Sequence, residues 1–273
     1  MNQLRSQLEV TVGTNDIAIA NLLIFYSLLL IPILIFLKYK VRLIKDVVTS
    51  VLRMTVQLGL VGIFLKYIFE LNSLFLNLSW IFMMLMLTNY TILKRSGLNI
   101  KKFFLTTAIG LFVSTIIVMT AFLLLLTKPV PIYDARYLIP VTGMLLGNCL
   151  RGNILGLERF YHTIKKQKGE YLTYLTLGAT FQEAILPFMQ DALKAALNPM
   201  IASIATIGLV SLPGMMTGQI LGGSFPLTAI KYQIAIMIAI FVSMAISVVI
   251  NLHLSFGKAF DKYQLLQEDV FRK

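Results

Sequence analysis

Long apolar runs that contain no acidic residue constrain this chain more than any other feature. The hydrocarbon core of a bilayer needs roughly 20 consecutive apolar helical residues. Seven runs approach that length, at 17–37, 48–69, 78–93, 103–126, 137–150, 200–221 and 228–252. Hydrophobic residues make up 58% of the chain and charged residues 13%, which is not the balance of a water-soluble domain. The sequence therefore predicts an all-α, polytopic membrane protein with about seven transmembrane helices.

The basic residues predict the orientation of these helices. Lys and Arg concentrate in cytoplasmic loops of membrane proteins. Of the 24 Lys and Arg residues, eighteen follow spans one, three, five and seven, and five lie at the N-terminus or in the alternate loops. This bias predicts that the N-terminus lies outside and the C-terminus inside the cell. It also accounts for the net charge of +12, so we expect a lipid bilayer as partner and no nucleic acid.

One connection on the predicted cytoplasmic side is unusually long. It covers residues 151–198, within a chain that we interpret as one membrane domain over 1–273. Apolar residues recur near helical spacing over 170–197, which predicts one or two amphipathic helices. We expect Pro187 to interrupt them, and Asn198 followed by Pro199 to begin the next membrane helix. Such a loop is a place for a soluble protein to dock.

The chain lacks the residue patterns of an enzyme. No phosphate-binding GxxxxGK[ST] motif occurs, the two histidines are not in metal-ligand spacing, and Cys149 is the only cysteine. None of the seven runs contains Asp or Glu, which argues against a proton-coupled carrier. We therefore expect no catalytic residues, no confident metal site and no cofactor bound by this chain.

The sixth run carries the sharpest local signal, GLVSLPGMMTGQILGG at 208–223. Proline removes a backbone donor and clashes with the preceding turn, so Pro213 followed by Gly214 predicts a kinked or unwound helix. Ser211 and Gln219 can satisfy the freed backbone groups. Broken membrane helices often line substrate paths, although packing between helices explains the glycines equally well. Met215 and Met216 are either soft metal ligands or, more simply, core-filling residues.

The second run contains Arg53, the only charged residue that we place inside the membrane, since Lys66 and Lys231 lie near the ends of their runs and are counted with the loops. Gln57 lies four residues later and therefore on the same helix face. The pair either lines a polar conduit, or Arg53 extends to the membrane surface as long basic side chains do.

Three strings in this order resemble one family. They are RMTVQLGLVGIFLKYIF at 53–69, IPVTGMLLGN at 139–148, which ends at Asn148, and the sixth-run string followed by IKYQI at 230–234. The chain is similar to the Fet-type iron-export permeases, also known as uncharacterised protein family 0014, which include plant aluminium-tolerance permeases. The resemblance implies the membrane subunit of an ATP-binding-cassette (ABC) transporter. It also implies a permease homodimer that pairs with two copies of a separate ATPase, which binds the ATP-Mg.

The resemblance also suggests a coupling site. Residues Leu177, Gly178, Ala179 and Thr180 look like the LGA core of the loop by which importer permeases contact their ATPase. The importer pattern has a glutamate six residues before that glycine, where this chain has Leu172. Two glutamates that flank these residues, Glu170 and Glu183, are further candidates for contact with the ATPase.

The resemblance implies export of iron or a related metal across the plasma membrane. No set of hard oxygen ligands for iron is visible within the spans, so the metal follows from the family alone. Two alternatives stay open: a permease for a non-metal substrate, and an autonomous channel or carrier.

Overall fold

The computed structural model describes residues 17–272, and within that range it is helical with no β-strand. The helices are α1 (Ile19–Lys38, with a 3-10 turn at Ser27–Leu29), α2 (Ile44–Leu71), α3 (Leu74–Arg95), α4 (Ile100–Ala121, extended by a π-helical turn at Phe122–Thr127), α5 (Ala135–Lys166), α6 (Lys168–Thr176), α7 (Phe181–Thr206), α8 (Gly214–Leu221) and α9 (Pro226–Ala259).

Six continuous helices in the described range are long and apolar enough to cross a membrane: α1, α2, α3, α4, α5 and α9. They correspond to six of the seven predicted spans, and the prediction of an all-α polytopic membrane protein is confirmed. The remaining run, 200–221, is not one helix, because it holds the end of α7, an irregular stretch at 207–213 and α8.

Hydrogen bonds between α5 and α9 show that these two helices run parallel. The pairs Cys149–Ser243, Asn153–Ser247 and Tyr161–Ser255 all have the same sequence separation of 94 residues. Two parallel membrane helices require the chain between them to return across the bilayer. Helix α7 runs antiparallel to α5, since Gly156 lies against Ala196 and Arg159 pairs with Asp191, so α7, the broken segment and α8 lead the chain back toward the start of α9. The count of seven crossings, with this one broken, and the side on which the N-terminus lies stay predictions.

The core of the bundle consists of α3, α4, α5, α7 and α9. Small residues let these helices approach closely. Gly110 of α4 lies against Asn251 of α9, and Gly156 of α5 lies against Val248 and Ala196. By contrast, α1 has no buried residue and α2 has only Ile68 buried within the described structure, so these two helices form the periphery.

Two expectations about prolines are wrong. Pro187 and Pro199 both lie inside α7, which continues through them, and Asn198 does not begin a helix. A proline costs one helical hydrogen bond, and packing on neighbouring helices offsets that loss in a membrane bundle. The stretch 151–198 is correspondingly made of the end of α5, all of α6 and the start of α7. Its non-helical residues are Gln167, between α5 and α6, and the turn at 177–180.

Residues after α9 fold back onto the bundle end where α4 begins. The backbone N–H of Asn99 donates to the carbonyl of Val270 at 2.9 Å, and that of Arg272 donates to Gly97 at 2.8 Å. Lys102 of α4 forms a salt bridge with Asp269. This C-terminal tail therefore joins the last helix to the α3–α4 turn.

Candidate functional site

The broken crossing is an ordered turn between α7 and α8. Gly208 has φ +90°, a conformation that favours glycine, and its N–H donates to the Ser211 carbonyl at 3.0 Å. Pro213 precedes Gly214, the first residue of α8. The Pro213 carbonyl accepts a hydrogen bond from Thr217 Oγ1 at 3.2 Å. Leu209, at the tip of the turn, is 92% exposed. The sequence signal for a break at this position is confirmed.

A first cavity, here called the break pocket, lies beside this turn. It has a volume of about 450 Å³ and an almost entirely apolar lining that includes Leu212, Met216 and Met237. Gln233 of α9 is its polar group, and Gln233 Oε1 is buried without a hydrogen-bond partner among the described residues. Met216 therefore shares this pocket with a second thioether, from Met237, and with one amide, and no His, Cys, Asp or Glu side chain lines the pocket.

A second cavity, here called the polar pocket, lies where α5, α8 and α9 meet near the starts of α5 and α9. Its volume is about 270 Å³. Its polar lining consists of Arg136, Tyr137, Gln219, Ser224, Thr228 and Tyr232, with Met215 at one wall. Gln219 Oε1 is also buried and has no partner within 17–272. The structure thus brings two of the predicted residues, Met215 and Gln219, into one small polar site.

Four other predicted residues do not line these cavities. Arg53 and Gln57 are exposed on α2, at the periphery of the bundle. Asn148 of α5 donates Nδ2 to the Met144 carbonyl at 2.8 Å, so its amide bonds to the backbone of its own helix. Ser211 acts through its backbone in the turn. A conduit that includes Arg53 together with the broken crossing is therefore not assembled within one copy of the described chain.

The candidate coupling residues form a rigid, exposed turn between α6 and α7. Leu177 is 80% exposed at its tip. Gly178 has φ +93°, and no atom of the described chain lies within 4 Å of a Cβ built there. Thr180 and Glu183 form a capping box at the start of α7, in which the backbone N–H of Thr180 donates to Glu183 Oε2 at 2.8 Å. Hydrogen bonds from Thr180 lower the pKa of Glu183 below its ordinary value.

Helix α6 is fixed to the bundle by Tyr171. Its hydroxyl donates to the Gln264 carbonyl of the tail at 2.7 Å, and its ring packs near Phe188 and Phe260. Burial, followed by the nearby Asp261 carboxylate, raises the pKa of Tyr171 to about 12. Glu170 lies on the same helix and accepts from Tyr174 at 3.1 Å. The coupling turn is therefore connected to α7, α9 and the tail.

Sequence reasoning missed several polar residues of the site. Gln233 and Tyr232 lie within the quoted string IKYQI, where a glutamine inside an apolar run is itself a signal. Ser243, Ser247, Asn251 and Ser255 recur every four residues, which marks one polar face of α9. No group of three or more His, Cys, Asp or Glu side chains suited to a metal occurs among residues 17–272. The expectation that the chain binds no cofactor stays a prediction.

Comparison with known protein sequences assigns the chain to a family. The family model described as "Uncharacterised protein family (UPF0014)" matches residues 19–260. "Protein ALUMINUM SENSITIVE 3" of Arabidopsis thaliana is 34% identical over 83% of this chain and 81% of its own length. "Probable iron export permease protein FetB" of Escherichia coli is 31% identical over 96% of this chain and 100% of its own.

A further relative, "UPF0014 membrane protein YjkA" of Bacillus subtilis, is 31% identical over 88% of this chain and 94% of its own. No solved structure matches the chain significantly. Two of these relatives are named a membrane protein and a permease protein, in agreement with the six apolar helices. The chain belongs to the uncharacterised protein family UPF0014 of membrane proteins.

Proposed function

We propose that this chain is the permease subunit of an ABC transporter and that a separate ATPase drives it. The observation that carries the proposal is the coupling turn at 177–180. Its apolar tip, Leu177, is 80% exposed, and helix α7 runs without interruption from this turn to the broken crossing. An exposed apolar tip on a rigid turn fits a groove in a partner protein. The proposed complex holds two permeases and two ATPases, with ATP-Mg bound by the ATPases.

Helix α7 provides the mechanical link in this proposal. It has 26 residues and is therefore about 39 Å long at 1.5 Å per residue. The capping box fixes its first turn to the coupling loop, and its last residue, Thr206, adjoins the irregular stretch at 207–213. A displacement of the coupling turn during ATP binding is thus carried as a rigid-body movement to the break. There, the turn at Gly208 and Pro213 absorbs the change in backbone angles.

The proposed cargo is iron or a related metal species, and the proposed direction is export across the plasma membrane. Support comes from two relatives, one named a probable iron export permease and one named for aluminium sensitivity. The break pocket and the polar pocket lie on either side of α8, which carries Met216 toward the first and Met215 toward the second. Movement of α8 relative to α9 therefore opens or closes both cavities.

The proposal is tested by co-expressing the chain with candidate ABC ATPases from the same organism, purifying any complex that forms and measuring its ATP turnover with and without iron. Gly178→Trp adds bulk at the coupling turn, so we expect loss of ATPase capture or of stimulated turnover. Gly97→Trp is the matched control, because Gly97 also has positive φ and open space around it and lies in the α3–α4 turn. The control should leave turnover unchanged.

Two outcomes would reject the proposal. Failure of every nucleotide-binding protein to co-purify with the folded chain would remove the ABC assignment. Metal transport in liposomes that contain the chain alone would instead support the alternative, an autonomous channel or carrier. Complex formation without any response to metals would retain the permease and reject the metal as cargo.

A further inference from the structure

The polar pocket has a chemical character that differs from that of a cation site. Its lining holds four hydroxyl groups, from Tyr137, Ser224, Thr228 and Tyr232, one amide, from Gln219, and one charged group, from Arg136. No carboxylate or imidazole lines it. Hard cations such as Mg²⁺ and Ca²⁺ are bound mainly by carboxylate and carbonyl oxygens, and transition metals also by imidazole or thiolate. A metal cation would therefore find no carboxylate, imidazole or thiolate ligand on the wall of this pocket, where the charged lining group is a guanidinium.

The guanidinium of Arg136 is oriented by a buried carboxylate. Asp134 accepts from Arg136 Nε at 3.2 Å and from Nη2 at 3.1 Å. The side chain of Asp134 is 6% exposed, whereas that of Arg136 is 71% exposed. Arginine has five N–H donors, so three remain available on the accessible side of this pair. The buried carboxylate thus holds the guanidinium in place, and the remaining N–H donors belong to an accessible side chain at the wall of the pocket.

Gln219 supplies the complementary acceptor. Its Oε1 is buried and has no hydrogen-bond partner among residues 17–272. A buried acceptor without a partner costs free energy, and a hydroxyl group of a ligand would satisfy it. The four hydroxyl groups of the pocket each donate and accept. A matching ligand therefore carries both anionic oxygens for Arg136 and hydroxyl donors for Gln219.

We propose that the polar pocket binds a small hydroxycarboxylate anion, so that the metal crosses the membrane as an anionic hydroxycarboxylate complex and not as a hydrated ion. This proposal rests on the proposed function and specifies its cargo class. The volume of about 270 Å³ suits a small organic acid, since it equals roughly nine times the share of one water molecule in the liquid. The pocket is bounded by α8, so movement of the broken crossing changes access to the bound anion.

The test is a titration of the full chain in nanodiscs with citrate, with ferric citrate, and with ferrous chloride under anaerobic conditions. We expect citrate and ferric citrate to bind and ferrous ion alone to show no saturable binding. Arg136→Gln should weaken citrate binding at least about tenfold, because it removes charge-assisted hydrogen bonds. Gln219→Leu keeps a similar volume and should weaken it roughly fivefold, because the ligand hydroxyl loses its acceptor.

Lys231→Gln is the matched control. Lys231 carries the same charge and lies near the start of α9, but it lines a different, apolar groove between α4 and α9. An exposed cation outside the pocket is screened by solvent and salt. Citrate binding should therefore change less than about twofold in this variant. If Arg136→Gln does not fold, Gln219→Leu decides the question alone. The proposal is overturned if citrate does not bind, if Gln219→Leu binds it like the wild type, or if ferrous ion binds as tightly.

ATPase capture, measured in the same nanodiscs, separates this proposal from the proposed function. Intact capture and stimulated turnover without citrate binding would overturn the anion site and leave the permease assignment standing. Citrate binding without capture would reject the ABC assignment while the site remains.

Discussion

The contact between α4 and α9 makes Gly110→Ala a severe perturbation. A Cβ atom built on Gly110 overlaps Asn251 Oδ1, lies 2.7 Å from Asn251 Cγ and lies 3.3 Å from its backbone nitrogen. Asn251 cannot move away freely, because its Nδ2 donates to Asn153 Oδ1 at 2.6 Å. Asn153 in turn donates to Ser247 Oγ at 2.8 Å. The added methyl group must therefore separate the helices or break this hydrogen-bond chain.

The magnitude follows from two opposing effects. Overpacking a well-packed site costs about 1–3 kcal/mol, and losing one interhelical hydrogen bond in a membrane protein costs about 0.6–1.7 kcal/mol. In the opposite direction, the higher helix propensity of alanine stabilises the helix by up to about 1 kcal/mol relative to glycine. The expected net loss in the free energy of unfolding is about 1–4 kcal/mol.

The assay is unfolding of the purified protein in detergent, followed by circular dichroism against increasing SDS. Gly62→Ala in α2 is the control, since no atom of the described chain lies within 4 Å of its Cβ position. The control should be neutral or stabilised by up to about 1 kcal/mol. Equal unfolding midpoints for the two variants would refute the close approach of α4 and α9.

Three further predictions concern the ends of the bundle. Tyr171→Phe removes the hydrogen bond to Gln264 and keeps the ring, so it should loosen the tail by about 0.5–1.5 kcal/mol, seen as faster proteolysis of the C-terminus. Burial alone would raise the pKa of Asp134, but hydrogen bonds from Arg136 lower it overall. Asp134→Asn should therefore reduce thermal stability near neutral pH, and the difference from the wild type should vanish as the pH falls below 3.8 and through the folded-state pKa. Leu177→Asp should abolish ATPase capture while the permease remains monodisperse in size-exclusion chromatography.

The membrane helices were predictable because length and apolarity are local properties of the sequence. The limits of α5 were not, since polar residues end the apolar run at 150 whereas the helix continues to Lys166. Asn153 looks unsuited to a membrane, yet it is fully buried and pairs with Ser247 of α9. Such pairing depends on the parallel arrangement of α5 and α9, which one run of residues does not reveal.

The three prolines of α7 and the break also show that a local sequence signal and its structural outcome can differ. Helix α7 ends at Thr206, just before the left-handed Gly208, and Pro213 is the N-cap of α8, while Pro187 and Pro199 are tolerated inside α7. Gly208 is the local difference, because it supplies a turn that the surroundings of the other two prolines lack. Met215 and Gln219 were identified from the sequence, but Tyr232 joins them only through the packing of α8 on α9.

The central claim is that ATP drives this chain to move cargo, and transport in proteoliposomes tests it most directly. The permease–ATPase complex would be reconstituted with its ATPase facing outward, and accumulation of radioactive iron would be measured with citrate present. We predict accumulation that requires ATP and is lost with Gly178→Trp and with an ATPase whose Walker lysine is replaced. Equal accumulation with and without ATP, in wild type and Gly178→Trp alike, would contradict the account.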